Sequence, residues 1–377
     1  MDKALELLKQ LISVDSVNPS LVQGAAGEAA VARVIAEAMR TMGLTVETQE
    51  AAPGRPNVVG TLEGRAPGRS LMLCGHIDTV GVVGMTAPFH PLEKNGRIYG
   101  RGSQDMKSGV AAMIDVARVI SESGGLDAGA LVIACVVDEE HASIGADALV
   151  TRWRTDAAVV TEPTDLQVAV AHKGFEWVEI ETEGRAAHGS RPREGRDAIR
   201  LMARVLNGLD AIDRALQSKD PHPLLGTASL HASLIEGGRE LSSYPDRCHL
   251  QMERRTIPGE SPGIAAREVE ELLGRLRAED PDFKAASKTM FARSPYEIPA
   301  DHELSQAMLR AIGVPGAPAP IGMSFWTDAS VLGDAGIPSI LFGPAGAGLH
   351  SVEEWVDAGS VLKCRDALVA LTRSWCR

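Results

Sequence analysis

Residues 71–80 read LMLCGHIDTV. Four of the first five are apolar, and the run ends at a glycine followed by His76 and, two residues on, Asp78. A short apolar run that stops on polar, metal-competent side chains reads as a buried strand delivering chemistry to the rim of a sheet. Three further runs have the same character: ALVIACVVDEE, AAVVTEP and SILFGP. Between them lie helix-like segments at 27–42, 107–121 and 360–374. Strand alternating with helix predicts an α/β fold with a mostly parallel sheet covered by helices. Three of the four runs end in His, Asp or Glu: His76 and Asp78, Glu139 and Glu140, and Glu162. In open α/β sheets the ligand crevice lies at the carboxyl ends of the strands, so these groups converge.

The middle of the chain is different. FEWVEIETEG, ASLHASLIEGG and DRCHLQMERRTI alternate as half-exposed strands do, and helical stretches at 196–217 and 261–278 accompany them. The expected organisation is a catalytic domain formed by 1–173 and 287–377, with an inserted α+β lid or dimerisation domain at 174–286. The Pro/Gly-rich GVPGAPAPIG at 313–322 reads as a loop.

Composition narrows the classes. The 377 residues are too many for one ordinary core. The formal charge is −12, with Lys+Arg 38 against Asp+Glu 50, which argues against nucleic acid or an anionic membrane as the main partner. The five cysteines form no C-x-x-C pair, and Cys74 and Cys135 sit in apolar runs, so a reducing cytoplasm is expected. The opening MDKALELLKQLISVDS spaces Leu5, Leu8 and Ile12 as an amphipathic helix does, not as a signal peptide. No apolar run approaches the roughly 20 residues that span a bilayer. A serine hydrolase would need a G-x-S-x-G elbow, and none occurs. GRGSQD begins like a dinucleotide fingerprint but has Asp105 where the last glycine belongs.

His76, Asp78, Asp105, Glu139, Glu140, Glu162 and His350 are the polar residues at strand ends and in Gly-rich loops. Each has an ordinary reading alone: a hydrogen-bonded histidine, a turn cap, an exposed acidic pair. Together, two histidines and several carboxylates make a donor set suited to zinc, cobalt or manganese.

The stretches GHIDTV, PFHPLEKNGRIYGRGSQDMKSGVAAM, DEEHASIGA, TEPTD, HKG, AAHGSRP, RRTIPGE, TDASVL and GIPSILFGP…LHSVEEWV resemble, in this order, the dinuclear zinc amidohydrolases that include acetylornithine deacetylase, succinyl-diaminopimelate desuccinylase, aminoacylase and carboxypeptidase G. The resemblance implies a zinc-exopeptidase-like fold and two zinc ions per chain, cobalt or manganese being alternatives. It implies that Asp105 bridges the metals, with His76 and Glu162 on one and Glu140 and His350 on the other. Asp78 would accept a hydrogen bond from the His76 imidazole. Glu139 would take the proton of a metal-bridging water and pass it to the departing amine. His188, in AAHGSRP, would stabilise the oxyanion, often from a partner subunit, so a homodimer is expected. Arg255 would clamp a substrate carboxylate, Arg254 being left as a surface arginine, and Gly346 and its neighbours would offer backbone N–H groups. Ser242 stands where many relatives carry an asparagine that contacts substrate. The implied activity is hydrolysis of an N-acyl amino acid amide. A dipeptidase or carboxypeptidase is the alternative within the class, and a non-catalytic binding member the alternative outside it. Glu162 in place of aspartate leans towards acylases and carboxypeptidases over aminopeptidases.

Overall fold

The four apolar runs fold as the adjacent strands Ala130–Val136, Ser70–His76, Ala157–Val160 and Ser339–Leu341, all mutually parallel. This computed structural model describes residues 2–313 and 318–377. Of the loop expected at 313–322, residues 314–317 lie outside the described residues, and Ile321–Met323 forms a short strand. Leu71 to His76 are all buried. Side chains alternate faces along a strand, so unbroken burial means that both faces of the sheet are covered.

The chain divides into two units. The first comprises Met1–Val170, Ile298–Ile321 and Thr327–Arg377. Its parallel strands are flanked on one side by Arg55–Glu63 and Thr45–Ala52, which run antiparallel. Helix Lys107–Glu122 packs against the strands Ser70–His76 and Ala130–Val136, and against helices Lys3–Ile12 and Ala358–Trp375. Every residue from Lys107 to Ala117 is buried. Gly109 permits this closeness, since a Cβ there would lie 2.0 Å from the carbonyl oxygen of Thr161. The five cysteines are free and buried. No helix of the described residues is long and apolar enough to cross a membrane.

The second unit comprises Ala171–Glu297 and Gly322–Trp326. Its antiparallel sheet runs in the order Ser229–Gly237, Arg247–Thr256, Gly174–Glu183, Lys284–Arg293. Val178, Ile180, Cys248, Leu250 and Met252 point from one face into a core with Leu201, Met202 and Val205 of helix Ala198–Gln217 and with Val269 and Leu272 of helix Ile264–Glu279. Glu179, Glu181 and Gln251 alternate with them on the other face. The boundary expected at 286 falls inside the strand Lys284–Arg293. That strand is paired along its length with Gly174–Glu183, so the unit continues to Glu297.

Candidate metal centre

Register brings the strand-end residues level. Cys74 pairs with Val160, so His76 and Glu162, each two residues further, stand at the same end of the sheet. His76 pairs with Val136, and the turn that follows carries Asp138, Glu139 and Glu140. Asp105 precedes helix Lys107–Glu122, and its peptide bond to Met106 is cis. His350 sits in the turn between Gly346–Ala347 and Trp355–Asp357, with φ +58°.

The side chains converge on Asp105. Its Oδ1 lies 3.0 Å from His76 Nε2, and its Oδ2 lies 3.2 Å from His350 Nε2. His350 Nε2 is also 2.9 Å from Glu140 Oε2. Glu162 Oε1 and Glu139 Oε2 lie 3.8 Å and 3.9 Å from His76 Nε2. Ligand atoms of His76, Glu139 and Glu162 fall within 4.8 Å of one another, as do those of His76, Asp105 and Glu140.

This set fits divalent cations. Four buried or nearly buried carboxylates face two imidazoles, and among the described residues none of the four pairs with a lysine or arginine. Carboxylates packed together away from water need a compensating positive charge. Oε1 of Glu140 is buried with no hydrogen-bond partner. Burial, with the neighbouring carboxylates adding to it, pushes Glu139 and Glu162 well above the usual range and Glu140 up to about 7. Burial opposes charge on His76, but its bond to Asp105 and the charges of Glu162 and Glu139 overcome it and raise the imidazole. His350 is raised to about 10 by its bonds to Asp105 and Glu140. Burial would raise Asp105, yet the bonds from His350 and His76 hold it low.

Asp78 acts differently from the expected pairing with the His76 ring. His76 Nδ1 bonds the backbone carbonyl of Asp78 at 3.1 Å, and the carboxylate stands 3.6 Å away. That carboxylate instead accepts the backbone N–H groups of Glu139 and Glu140, at 3.2 Å each. The aspartate therefore fixes three candidate site residues through two of its groups.

Sequence reasoning missed two carboxylates here. Glu354, buried, accepts the backbone N–H groups of Gly102, Gln104 and Asp105 at 2.8–3.1 Å and pairs with Arg101 at 2.7 Å. It holds the loop that carries Asp105. Asp328, also buried, adds its charge to those raising Glu139 and Glu162. Both lie in motif stretches, but neither ends a strand run. Gly346 lies in a two-residue strand opposite Val356, where a Cβ would come within 2.4 Å of the Trp355 carbonyl oxygen. Close approach of the backbone is what demands glycine there.

The second unit holds the other named residues. His188 is exposed, its Nδ1 2.8 Å from Ser190 Oγ, and it forms an isolated bridge with Ser243. The carbonyl of exposed Ser242 accepts from the N–H of Gly189 at 2.7 Å. His188 and Ser242 are thus brought together. Arg254 is not a surface residue: it is fully buried, bound to Glu260 and Glu268 at 2.7–3.1 Å. Strand alternation turns Arg255 to the other face. There Glu253 holds its Nε at 2.6 Å, and the guanidinium lies 5.5 Å from the centre of the Phe175 ring.

Comparison with known proteins bears on this arrangement. The chain is 28% identical to an N-formyl-4-amino-5-aminomethyl-2-methylpyrimidine deformylase of Bacillus subtilis, covering 100% of this chain and 95% of that one. It is 28% identical to an acetylornithine deacetylase of Proteus mirabilis, covering 99% and 96%. Among solved structures, a tripeptidase from Staphylococcus aureus superposes with a TM-score of 0.80 at 22% identity, covering 100% and 98%. A dinuclear metal-binding peptidase of the M20 family from Bacillus subtilis superposes with 0.74 at 14%, covering 99% and 97%. The two structural likenesses establish the fold. The signature of peptidase family M20/M25/M40 matches residues 72–374, a stretch that runs from the strand bearing His76 past His350, and the chain belongs to that family of metal-dependent hydrolases.

Proposed function

We propose that the protein hydrolyses the amide bond of an N-acyl amino acid, as an acetylornithine deacetylase does, with two zinc ions per chain. The observation that carries this reading is the division of Asp105. Each of its oxygens has its own histidine, His76 on one side and His350 on the other. One ion would be held by His76, Glu162 and Asp105, the other by Glu140, His350 and Asp105, with cobalt or manganese as substitutes. When bound, the ions would polarise the scissile carbonyl and lower the pKa of a water beside it.

Glu139 takes the proton of the attacking water and hands it to the departing amine. Asp78 keeps Glu139 and Glu140 in place through their N–H groups. His188 donates to the developing oxyanion from a partner chain. Arg255 takes a substrate carboxylate in the bidentate manner that a planar guanidinium allows. Ser242 and Gly346 are proposed to contact substrate. The chain forms a homodimer in the cytoplasm, consistent with its free, buried cysteines.

The equal identity to a deformylase supports a second reading, removal of a formyl group from an aminomethylpyrimidine. Hydrolysis of dipeptides is a third outcome within the same chemistry. The test is a panel of N-acetyl, N-succinyl and N-benzoyl amino acids, dipeptides and N-formylaminomethylpyrimidine, each with zinc and with a chelator. Chelator-sensitive release of a free amino acid from an N-acyl substrate is expected. Preference for the formyl compound or a dipeptide moves the substrate accordingly. No turnover, with no zinc retained, would overturn the assignment in favour of a binding protein.

A further inference from the structure

Behind the candidate metal centre lies a polar network that begins in the N-terminal segment. Asn18, Glu28, Asp78 and Asp138 are at most 1% exposed, and Arg55 is 8% exposed. Asn18 uses every hydrogen-bonding position of its amide. The two Nδ2 hydrogens go to Asp78 Oδ2 at 2.7 Å and Asp138 Oδ1 at 3.0 Å. Its Oδ1 accepts from Arg55 Nη2 at 3.1 Å and from the N–H of Ser20 at 2.8 Å. Arg55 spends all five of its N–H groups as well. They reach Glu28 twice, Ser20 Oγ at 2.9 Å, Asp138 Oδ1 at 2.7 Å and Asn18 Oδ1.

The two carboxylates that Asn18 joins both control the site backbone. Asp78 carries the carbonyl that holds the His76 ring, and its carboxylate holds the N–H groups of Glu139 and Glu140. Asp138 immediately precedes Glu139 with φ +70°. Its carbonyl accepts from the N–H groups of His141, Ala142 and Ser143, which closes the turn. Two buried carboxylates, Glu28 and Asp138, thus bond one guanidinium, and Asn18 ties the third, Asp78, into the same network. A neutral amide with two donors is what lets Asp78 and Asp138 approach without facing each other bare. An aspartate at position 18 has no such donors, and a lysine at position 55 cannot supply five.

We propose that Asn18 and Arg55 are positioning residues of the metal centre. Through Asp78 and Asp138 they fix the backbone from which His76, Glu139 and Glu140 project, and so set how tightly zinc is held. The inference rests on the zinc reading given above. It reaches no substrate, and its effect passes entirely through those two carboxylates.

The experiment measures zinc retention by the full chain against a graded chelator, well below the melting temperature, for wild type, Asn18→Asp, Asn18→Ala and Ser20→Ala. Outer-sphere partners of metal ligands are typically worth about 10–100-fold in affinity or activity. Both Asn18 variants are expected to lose zinc at chelator concentrations lower by about that factor, with kcat reduced and KM little changed. Ser20→Ala removes one bond to Asp138 and one from Arg55 but leaves both Asn18 amide bonds to Asp78 and Asp138 intact, so its loss of zinc should be smaller than that of either Asn18 variant. A purely structural role would lower the melting temperature of the Asn18 variants while the folded protein held zinc normally, and that result would overturn the proposal. If neither Asn18 variant folds, Glu28→Gln decides, since Glu28 touches the network only through Arg55. Weakened retention supports the proposal, and unchanged retention removes it. A wild type that binds no zinc at all would overturn the metal reading itself, which is a different result from wild type and variants binding two ions alike.

Discussion

Glu139 and Glu140 are neighbours in sequence with different surroundings. Glu140 lies 2.9 Å from His350, whereas the nearest imidazole nitrogen to Glu139 is that of His76 at 3.9 Å. A ligand must stay deprotonated, and a base must cycle. Glu139→Gln is therefore expected to keep two zinc ions and lose about 10²–10⁴-fold in kcat, the range ascribed to a general acid–base group. Metal analysis alongside steady-state kinetics checks this. A variant that loses zinc in proportion to activity would make Glu139 a ligand, and one with normal turnover would remove it as the base. His76, Asp105, Glu140, Glu162 and His350 were legible in the sequence because each follows an apolar run or a Gly-rich turn. Glu354 and Asn18 were not, since each acts on residues about 250 and 60 positions away. Only the folded backbone shows that pairing. The same holds for Asp78, where the sequence spacing pointed at the imidazole and the structure turns the carboxylate to two N–H groups.

At the scale of elements, the edge strand Ser229–Gly237 stands out. It has one sheet neighbour, and Leu234 and Ile235 on it are 66% and 56% exposed, with Leu241 fully exposed nearby. An edge that leaves its ladder groups and large apolar side chains open is a template for a second chain. If two copies pair there, Ile235→Lys should convert a dimer to a monomer, read by light scattering. Activity should then fall as it does in His188→Ala, with zinc content unchanged in both. A monomeric wild type of full activity would exclude a cross-subunit His188. The four parallel strands were readable from sequence because burial on both faces makes a strand continuously apolar. Lys284–Arg293, KAASKTMFAR, was not, because it is an edge strand with charged residues at both ends and no clean alternation. The boundary between the units was misplaced for that reason. Arg254 was misread for a related one. Alternation shows that two adjacent arginines face opposite sides, but not that one side is a packed core with Glu260 and Glu268 waiting in it.

At the scale of the whole molecule, the metal centre couples to stability through pH. In metal-free protein Glu140 titrates at about 7 against an ordinary 4.5, and Glu139 and Glu162 are raised in the same direction. The folded chain then binds more protons than the unfolded one between pH 4.5 and 7, so stability falls as pH rises through that window. His76 and His350 are raised as well, His350 from 6.5 to about 10, which extends the loss above pH 6.5. Asp105, held low, has the opposite sign, and its contribution is already complete near pH 5. Zinc binds the deprotonated ligands and removes the repulsion that drives the loss. Its stabilisation should therefore grow with pH. Zinc at 100 times its dissociation constant contributes about 2.7 kcal/mol per ion, and each kcal/mol shifts the melting temperature of a chain this long by about 1 °C. Calorimetry of zinc-loaded and chelator-treated protein from pH 5 to pH 8 should show two melting curves that separate as pH rises, the metal-free one falling faster. A constant separation would mean that the buried carboxylates are not what the metal neutralises. A shrinking one would mean that the site is already satisfied without it.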